Sequence, residues 1–237
     1  MQSLSNQRVL VIGGSSGIGF STAAAAVDAG AAVTIASRNQ KKLDSAAAKL
    51  GSSVKIRVLD IGDDNLLEHF FQQEQPWDHV VVSAAQTKGG PVRSLGLTDA
   101  LAAMDSKFWG AYRVARAARI KEDGSLTLIS GFLSERPSGT AVLQGAINAA
   151  LESLVRGLAL EFAPIRVNAV SPGVIETPIW DDLPFEKRKA LFESTASHLP
   201  AGRIGQPQDI ANAVLFVMTT SFVTGSTVRV DGGAVIA

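Results

Sequence analysis

Short apolar runs alternate with helical segments along the whole chain. The first run, at residues 9–12, is apolar at every position and is followed by two glycines, which is typical of a strand buried on both faces of a parallel sheet. The segment 18–29 is rich in alanine and stops at a glycine, which predicts a helix. Similar apolar patterns predict the remaining strands, at 32–36, 54–59, 80–82, 126–129, 166–170 and 227–230.

Helical patterns fill the intervals between these strands. They predict further helices at 40–50, 63–73, 99–121, 140–162 and 208–219, and a helical substrate lid over 178–200. Strands that alternate with single helices over short connections are typical of an α/β fold. No linker, repeat or shift in composition divides the chain. We therefore expect residues 1–237 to form a single Rossmann-like domain, a doubly wound parallel sheet of about seven strands with helices on both faces.

A glycine-rich loop joins the first strand to the first helix. Glycine allows a sharp turn and lets the backbone approach a pyrophosphate that docks on a helix N-terminus. The loop therefore predicts a dinucleotide site, although a glycine-rich turn without a ligand has the same pattern. The residues expected to hold the pyrophosphate are Gly13, Ser15, Ser16, Gly17, Ile18 and Gly19.

The end of the second strand indicates which dinucleotide is bound. NAD sites usually place a carboxylate about 20 residues beyond the glycine loop, where it binds the ribose hydroxyls. Here the chain has Ser37, Arg38 and Asn39, with no carboxylate. Arg38 offers a planar cation suited to a 2′-phosphate, and its two neighbours offer further hydrogen bonds. We therefore expect NADP(H), with a solvated turn arginine as the alternative.

Composition and charge narrow the classes of partner. The 22 Lys and Arg residues balance 22 Asp and Glu residues, so nothing favours a nucleic acid. The absence of cysteine excludes disulfides, thiolate nucleophiles and Cys-ligated metals, and no metal site is expected. The polar N-terminal segment lacks a signal-peptide layout, and no apolar run reaches the roughly 20 residues of a membrane span. We expect a soluble, cytoplasmic protein without a membrane partner.

Several separate motifs resemble those of the short-chain dehydrogenase/reductase family. The glycine loop matches the family's coenzyme loop, and Asp60 with Ile61 matches the pair that brackets the adenine. The stretch 171–177 is similar to the proline–glycine motif that lines the nicotinamide, and 205–211 and 224–233 follow the family's closing signature. The resemblance implies further cofactor contacts, from Ser83, Ala84, Ala85, Asn148, Pro172, Gly173, Ile175 and Thr177.

The catalytic positions of that family hold different residues here. The family uses a tyrosine acid, a lysine four residues later on the same helix, a serine and a relay asparagine. The resemblance places Gln144 at the tyrosine position and Asn148 at the lysine position. It places Gly131 at the serine position, directly after Ser130, and Lys107 at the asparagine position. An amide is no proton donor near neutral pH, so the family's usual mechanism is not expected to operate.

The candidate catalytic residues are Lys107, Ser130, Gln144 and Asn148. Beside a cofactor, a buried ammonium could act as an acid or stabilise a carbonyl oxygen. Lys107 could equally pair with a carboxylate or with the cofactor and do no chemistry. Ser130 could orient a carbonyl, and His198 in the lid is a further candidate proton donor. Glu135 and Arg136 either border the same cleft or lie on the surface.

Three functions remain open from the sequence. The first is an NADP(H)-dependent oxidoreductase that acts on an unidentified carbonyl or alcohol, which the intact coenzyme motifs favour. The second is a coenzyme-binding protein with little or no catalysis, such as a redox sensor or an assembly partner, which explains the four replaced residues more simply. The third is a lyase or isomerase on the same scaffold. Small residues on one face of helices 99–121 and 140–162 suggest subunit packing, and the resemblance to the family implies a homodimer or homotetramer.

Overall fold

The computed structural model describes residues 3–237, so Met1 and Gln2 of the polar N-terminal segment lie outside the described residues. The strands are β1 (Arg8–Ile12), β2 (Ala32–Ser37), β3 (Lys55–Val58), β4 (Trp77–Val82), β5 (Ile120–Ile129), β6 (Arg166–Pro172) and β7 (Thr227–Val230). They form one parallel sheet in the order β3-β2-β1-β4-β5-β6-β7. The predicted number of strands and their parallel direction are confirmed.

Helices connect the strands. The α-helices are α1 (Gly17–Asp28), α2 (Gln40–Leu50), α3 (Asp64–Gln73), α4 (Leu97–Met104), α5 (Gly110–Ala117), α6 (Val142–Glu161), α7 (Phe185–His198) and α8 (Pro207–Thr219). A π-helix spans Asp105–Trp109, and short 3-10 helices span Phe132–Ser134 and Pro178–Trp180. Within residues 3–237, no helix combines the length and the apolar character needed to cross a membrane.

Helices cover both faces of the sheet, as the apolar run of β1 predicts. Leu10 and Ile12 point into one core together with α3, α5 and α6. Val9 and Val11 point into a second core together with α1, α2 and α8. Because successive strand residues face opposite sides, a strand without polar positions has to be covered twice. The doubly wound arrangement is therefore confirmed.

The strand order reverses between β1 and β4, which opens a crevice at the carboxyl ends of these two strands. Ser83 donates its backbone N–H to the carbonyl of Ile12, and Gly13 donates to the carbonyl of Ala36, both at 2.8 Å. The glycine loop thus begins at the switch point of the sheet, where open α/β sheets bind their ligands.

The prediction of one helix over 99–121 is wrong at its C-terminal end, and the helical part that does form is divided. The chain forms α4, the π-helix and α5, and β5 then starts at Ile120. Ile120 pairs with Trp77, and Lys121 Nζ binds Asp78 Oδ1 at 2.7 Å. These contacts extend β4 and β5 beyond their apolar runs, because pairing with a neighbouring strand outweighs local propensity.

Candidate functional site

The glycine loop leaves the N-terminus of α1 open. Ser16 is the N-cap residue, but its side chain makes no capping hydrogen bond with any described residue. The loop bends through Gly13 and Gly17, whose φ angles of 87° and 53° favour glycine. An uncapped helix N-terminus presents unpaired N–H groups and partial positive charge, and it binds phosphate oxygens well.

Close packing leaves little room for side chains at the loop glycines. A Cβ at Gly13 would lie 2.6 Å from the backbone nitrogen of Ala84, and a Cβ at Gly19 would run into the carbonyl oxygen of Gly13. A Cβ at Gly17 would lie 3.3 Å from the side chain of Thr177. The structure therefore brings together three segments predicted to bind the cofactor: the glycine loop, the end of β4 and the segment after β6.

The end of β2 carries the residues predicted to select the dinucleotide. Arg38 is exposed, and its Nη2 donates to Gln86 Oε1 at 2.8 Å. The Asn39 side chain caps α2 by accepting from the backbone N–H of Lys42 at 3.0 Å. Ser37 Oγ accepts from the N–H of Asn39 at 3.4 Å. Arg38 thus keeps further N–H donors for a phosphate, whereas the oxygen of Asn39 already serves the helix.

The predicted adenine pair, Asp60 and Ile61, lies beside the element that carries Lys107. Gly110 directly follows the π-helix, and a Cβ there would lie 2.6 Å from Ile61 Cδ1. Asp60 Oδ1 accepts the backbone N–H of Gly62 at 2.9 Å. Turns of π-helix are rare and frequently occur at functional sites. Close packing at Gly110 therefore sets the position of Lys107 relative to the crevice.

Lys107 lies at the centre of the candidate catalytic site. Its Nζ donates to Asn148 Oδ1 at 2.6 Å and to the carbonyl oxygen of Ser130 at 2.8 Å. The three residues come from the π-helix, from α6 and from the end of β5. The structure thus brings together three of the four candidate catalytic residues through one ammonium group.

Burial changes the protonation chemistry of Lys107. The residue is half-buried, and its ammonium group packs against Asn148 and the end of β5. This desolvation lowers the pKa of Lys107 to about 8, while the negative charge of Glu152 opposes the shift. At neutral pH the lysine is still mainly protonated, and it can exchange a proton far more readily than an exposed lysine.

Gln144, the fourth candidate, lies one helical turn before Asn148 on α6. Its Nε2 donates to the carbonyl oxygen of Lys88 at 2.7 Å. Its Oε1 is buried and finds no hydrogen-bond partner among residues 3–237. The side chain therefore faces the loop that follows β4, with one acceptor unused.

A buried carboxylate, which the sequence analysis missed, completes the site. Glu152 lies one turn after Asn148 on the same face of α6, and it is 7% exposed. Ser130 Oγ and Ser134 Oγ each donate to Glu152 Oε1 at 2.8 Å. Its spacing from Gln144 and Asn148, four residues at each step, was the available signal.

Comparison with known proteins identifies the family. The family model described as enoyl-(acyl carrier protein) reductase matches residues 13–235. A short-chain dehydrogenase/reductase of Acremonium sp, ucsE, is 31% identical over 99% of this chain and 97% of its own. The chain belongs to the short-chain dehydrogenase/reductase family. This is a family of oxidoreductases, and the expected resemblance is confirmed.

Solved structures of this family superimpose over almost the whole chain. A small-chain dehydrogenase in complex with NADPH is 35% identical, with a TM-score of 0.83, and covers 98% of this chain and 99% of its own. The MalC reductase/Diels-Alderase of Malbranchea aurantiaca is 27% identical, with a TM-score of 0.90, and covers 99% of this chain and 98% of its own. The predicted cofactor, NADPH, is therefore present in one solved relative.

The other candidates in this short-chain dehydrogenase/reductase are bound elsewhere. His198 ends α7, and its Nδ1 lies 2.7 Å from the carbonyl oxygen of Ser194 on the same helix. Glu135 pairs with Arg229 at 3.1 Å, and Arg136 donates to the carbonyl of Ala234. These three side chains thus bind α7, β7 and the C-terminal turn, and among the described residues none forms a hydrogen bond with Lys107. Within the described part of the chain, no group of three acidic or histidine side chains could hold a metal.

Replacing Gly131 by serine, the residue type of the family, should destabilise this short-chain dehydrogenase/reductase. A Cβ at Gly131 would lie 2.7 Å from Asn148 Nδ2, so the amide would have to move away from Lys107. We expect G131S to lower the free energy of unfolding by about 1–3 kcal/mol, measured by urea denaturation. The control is G139S, because a Cβ at Gly139 meets no described atom within 4 Å. Equal stability of G131S and wild type would contradict the packing argument.

Proposed function

We propose that this protein is an NADP(H)-dependent oxidoreductase that interconverts a carbonyl and an alcohol, with Lys107 as the charged group of an altered catalytic site. The observation that carries the proposal is the 2.6 Å hydrogen bond from Lys107 Nζ to Asn148 Oδ1. In the family that this chain resembles, a lysine at the position of Asn148 brings a positive charge to the nicotinamide ribose. Here the charge comes to the same position from the opposing π-helix.

Lys107 and Asn148 have exchanged residue types relative to the family. The family pattern has asparagine at the first position and lysine at the second, and this chain has the reverse. Because the two side chains touch, the exchange keeps one ammonium and one amide in the same pair. A single rearrangement thus accounts for two of the four replaced residues, which favours a working site over a decayed one.

The described residues fit a phosphorylated dinucleotide. The uncapped N-terminus of α1 and the close-packed glycines would hold the pyrophosphate, and Arg38 would bind the 2′-phosphate. The NADPH held by a relative that is 35% identical supports this assignment. When bound, the reduced dinucleotide would supply the hydride that reduces a carbonyl carbon.

The chain's own residues would manage the charge and the proton. Lys107 would stabilise the negative charge that develops on the substrate oxygen and would give that oxygen a proton. A pKa of about 8 suits a residue that has to be protonated before the step and reprotonated after it. Gln144 would orient the substrate oxygen by a hydrogen bond without transferring a proton.

A second candidate function is cofactor binding without turnover. It is favoured by the hydrogen bond from Gln144 Nε2 to the Lys88 carbonyl, which holds the loop after β4 against α6. A redox sensor should bind NADPH and NADP with clearly different affinities. An oxidoreductase should oxidise NADPH when offered aldehydes, ketones or quinones. Two measurements therefore separate these functions. One is the loss of absorbance of the reduced nicotinamide with such a panel, and the other is the pair of affinities for NADPH and NADP.

Replacing Arg38 by alanine tests the cofactor half of the proposal. The guanidinium is exposed at the crevice, and among residues 3–237 its one hydrogen bond is to Gln86. A charge-assisted contact with a phosphate contributes about 1.5–3 kcal/mol. We therefore expect R38A to weaken NADPH binding by roughly 10- to 100-fold and to leave NADH binding almost unchanged, as measured by fluorescence titration.

The matched control for this prediction is R116A. Arg116 is an exposed arginine on α5 that pairs with Glu68 at 2.9 Å, away from the crevice. It should leave the preference for NADPH unchanged. A preference for NADPH that survives in R38A would mean that other residues recognise the 2′-phosphate.

A further inference from the structure

Glu152 is a buried carboxylate to which the proposed reaction assigns no role. It is 7% exposed, and within residues 3–237 no lysine, arginine or histidine nitrogen lies within 4.0 Å of its oxygens. Removing a carboxylate from water is costly unless hydrogen bonds or an opposite charge compensate. The hydroxyls of Ser130 and Ser134 supply two hydrogen bonds, both to Oε1.

We propose that Glu152 is a positioning residue that holds Lys107 in its charged form and in its place beside Asn148. The inference rests on the function proposed above for Lys107. It has an electrostatic part, which acts without direct contact between the two side chains, and a mechanical part, which follows from the hydrogen bonds of Ser130.

The electrostatic part concerns the charges around the ammonium of Lys107. Burial favours the neutral amine, and the attraction of Glu152 raises the pKa of Lys107 against this effect. Among the described residues, Glu152 is the one ionisable group whose charge opposes the lowering of the pKa of Lys107. Without its charge, the lysine would lose its proton at a lower pH.

The charged groups on the neighbouring elements have partners of their own, and Arg156, one turn after Glu152 on α6, is exposed. On the π-helix, Asp105 binds Arg113 at 2.7 Å. Beyond the 3-10 helix that carries Ser134, Glu135 pairs with Arg229 at 3.1 Å. Arg136 donates to a backbone carbonyl of the C-terminal turn. The ammonium and the carboxylate of Glu152 are therefore left to balance each other.

The mechanical part runs through Ser130. Its hydroxyl donates to Glu152 Oε1 at 2.8 Å, and its carbonyl oxygen accepts from Lys107 Nζ at 2.8 Å. One residue thus joins the carboxylate to the ammonium. Because Glu152 and Asn148 lie on the same helix face, the carboxylate also fixes the distance between α6 and the end of β5.

The experiment is a pH titration of Lys107 in the full chain without cofactor. Lysine labelled with 13C at Cε is followed by NMR, and the Lys107 signal is assigned by its loss in K107M. We expect E152Q to lower the titration midpoint of Lys107 by at least about one pH unit. At a given pH above the midpoint, the protonated fraction of Lys107 then falls about tenfold. An unchanged midpoint overturns the proposal.

The matched control is E161Q, the same chemical change at an exposed position of the same helix, which should leave the midpoint unchanged. E152D keeps the charge but withdraws it by one methylene group. It should lower the midpoint by less than E152Q does, and it serves as the test if E152Q does not fold. A midpoint in E152D at or above that of wild type also overturns the proposal.

NADPH binding, measured over the same pH range, separates this inference from the proposed function. If the midpoint falls in E152Q and NADPH binding weakens at a lower pH than in wild type by the same amount, the role of Glu152 and the proposed function are both supported. If the midpoint falls but NADPH binding is independent of pH, the role of Glu152 stands and the contact of Lys107 with the cofactor is refuted.

Discussion

Replacing Lys107 by methionine should lower kcat/KM for a carbonyl substrate by at least about 100-fold, since one preorganised group that stabilises a developing oxyanion contributes roughly 10²- to 10³-fold. Methionine is also unbranched and only one atom shorter than lysine, and it removes both the charge and the hydrogen bonds to Asn148 and Ser130. The measurement is NADPH oxidation with the best substrate from the carbonyl panel. NADPH should still bind through the glycine loop, although more weakly without the charge of Lys107, and this binding shows that the variant is folded.

The pH dependence of the rate, compared between wild type and K107M, is a second test of the role of Lys107. The reactive form is the protonated lysine, so the rate should be full below the pKa of about 8 and should fall as the pH rises through it. K107M should lack this fall. The control is K49M, because Lys49 is an exposed lysine on α2. If K107M has the rate and pH profile of wild type, Lys107 takes no part in the reaction.

The fold follows from the sequence wherever local signals and packing agree. The observed bounds of α2 match the predicted helix 40–50, because Gly51 follows its last residue and Asn39 caps its first turn. The covering of both faces follows from the uninterrupted apolar run of β1. The division of 99–121 could not be predicted, since the first half of β5 is polar and becomes a strand only by pairing with β4.

The candidate site could be predicted in part. Its residue types and positions follow from the resemblance to the family, which locates Lys107 and Asn148 on separate elements. That the two side chains touch depends on the π-helix and on the close packing of Gly110, and neither has a sequence signal. Glu152 was missed because a single carboxylate in a long helix is usually solvated, and only its partners in the fold show that it is buried.

Replacing Gly19 by alanine should abolish dinucleotide binding and destabilise the fold. The added Cβ would run into the carbonyl oxygen of Gly13, which is backbone and cannot rotate away as a side chain can. Overpacking of this kind usually costs 1–3 kcal/mol, and we expect about 3 kcal/mol because the loop is fixed by the hydrogen bond from Gly13 to Ala36. Urea denaturation measures the stability, and NADPH fluorescence measures the binding.

The matched control is G157A, the same change in the exposed middle of α6. A Cβ at Gly157 meets no atom of residues 3–237 within 4 Å, so this substitution should stabilise the helix by roughly 0.5–1 kcal/mol. The two variants thus change stability in opposite directions for one added methyl group. If G19A retains wild-type affinity for NADPH, the dinucleotide does not lie against this loop, and the cofactor half of the proposed function fails.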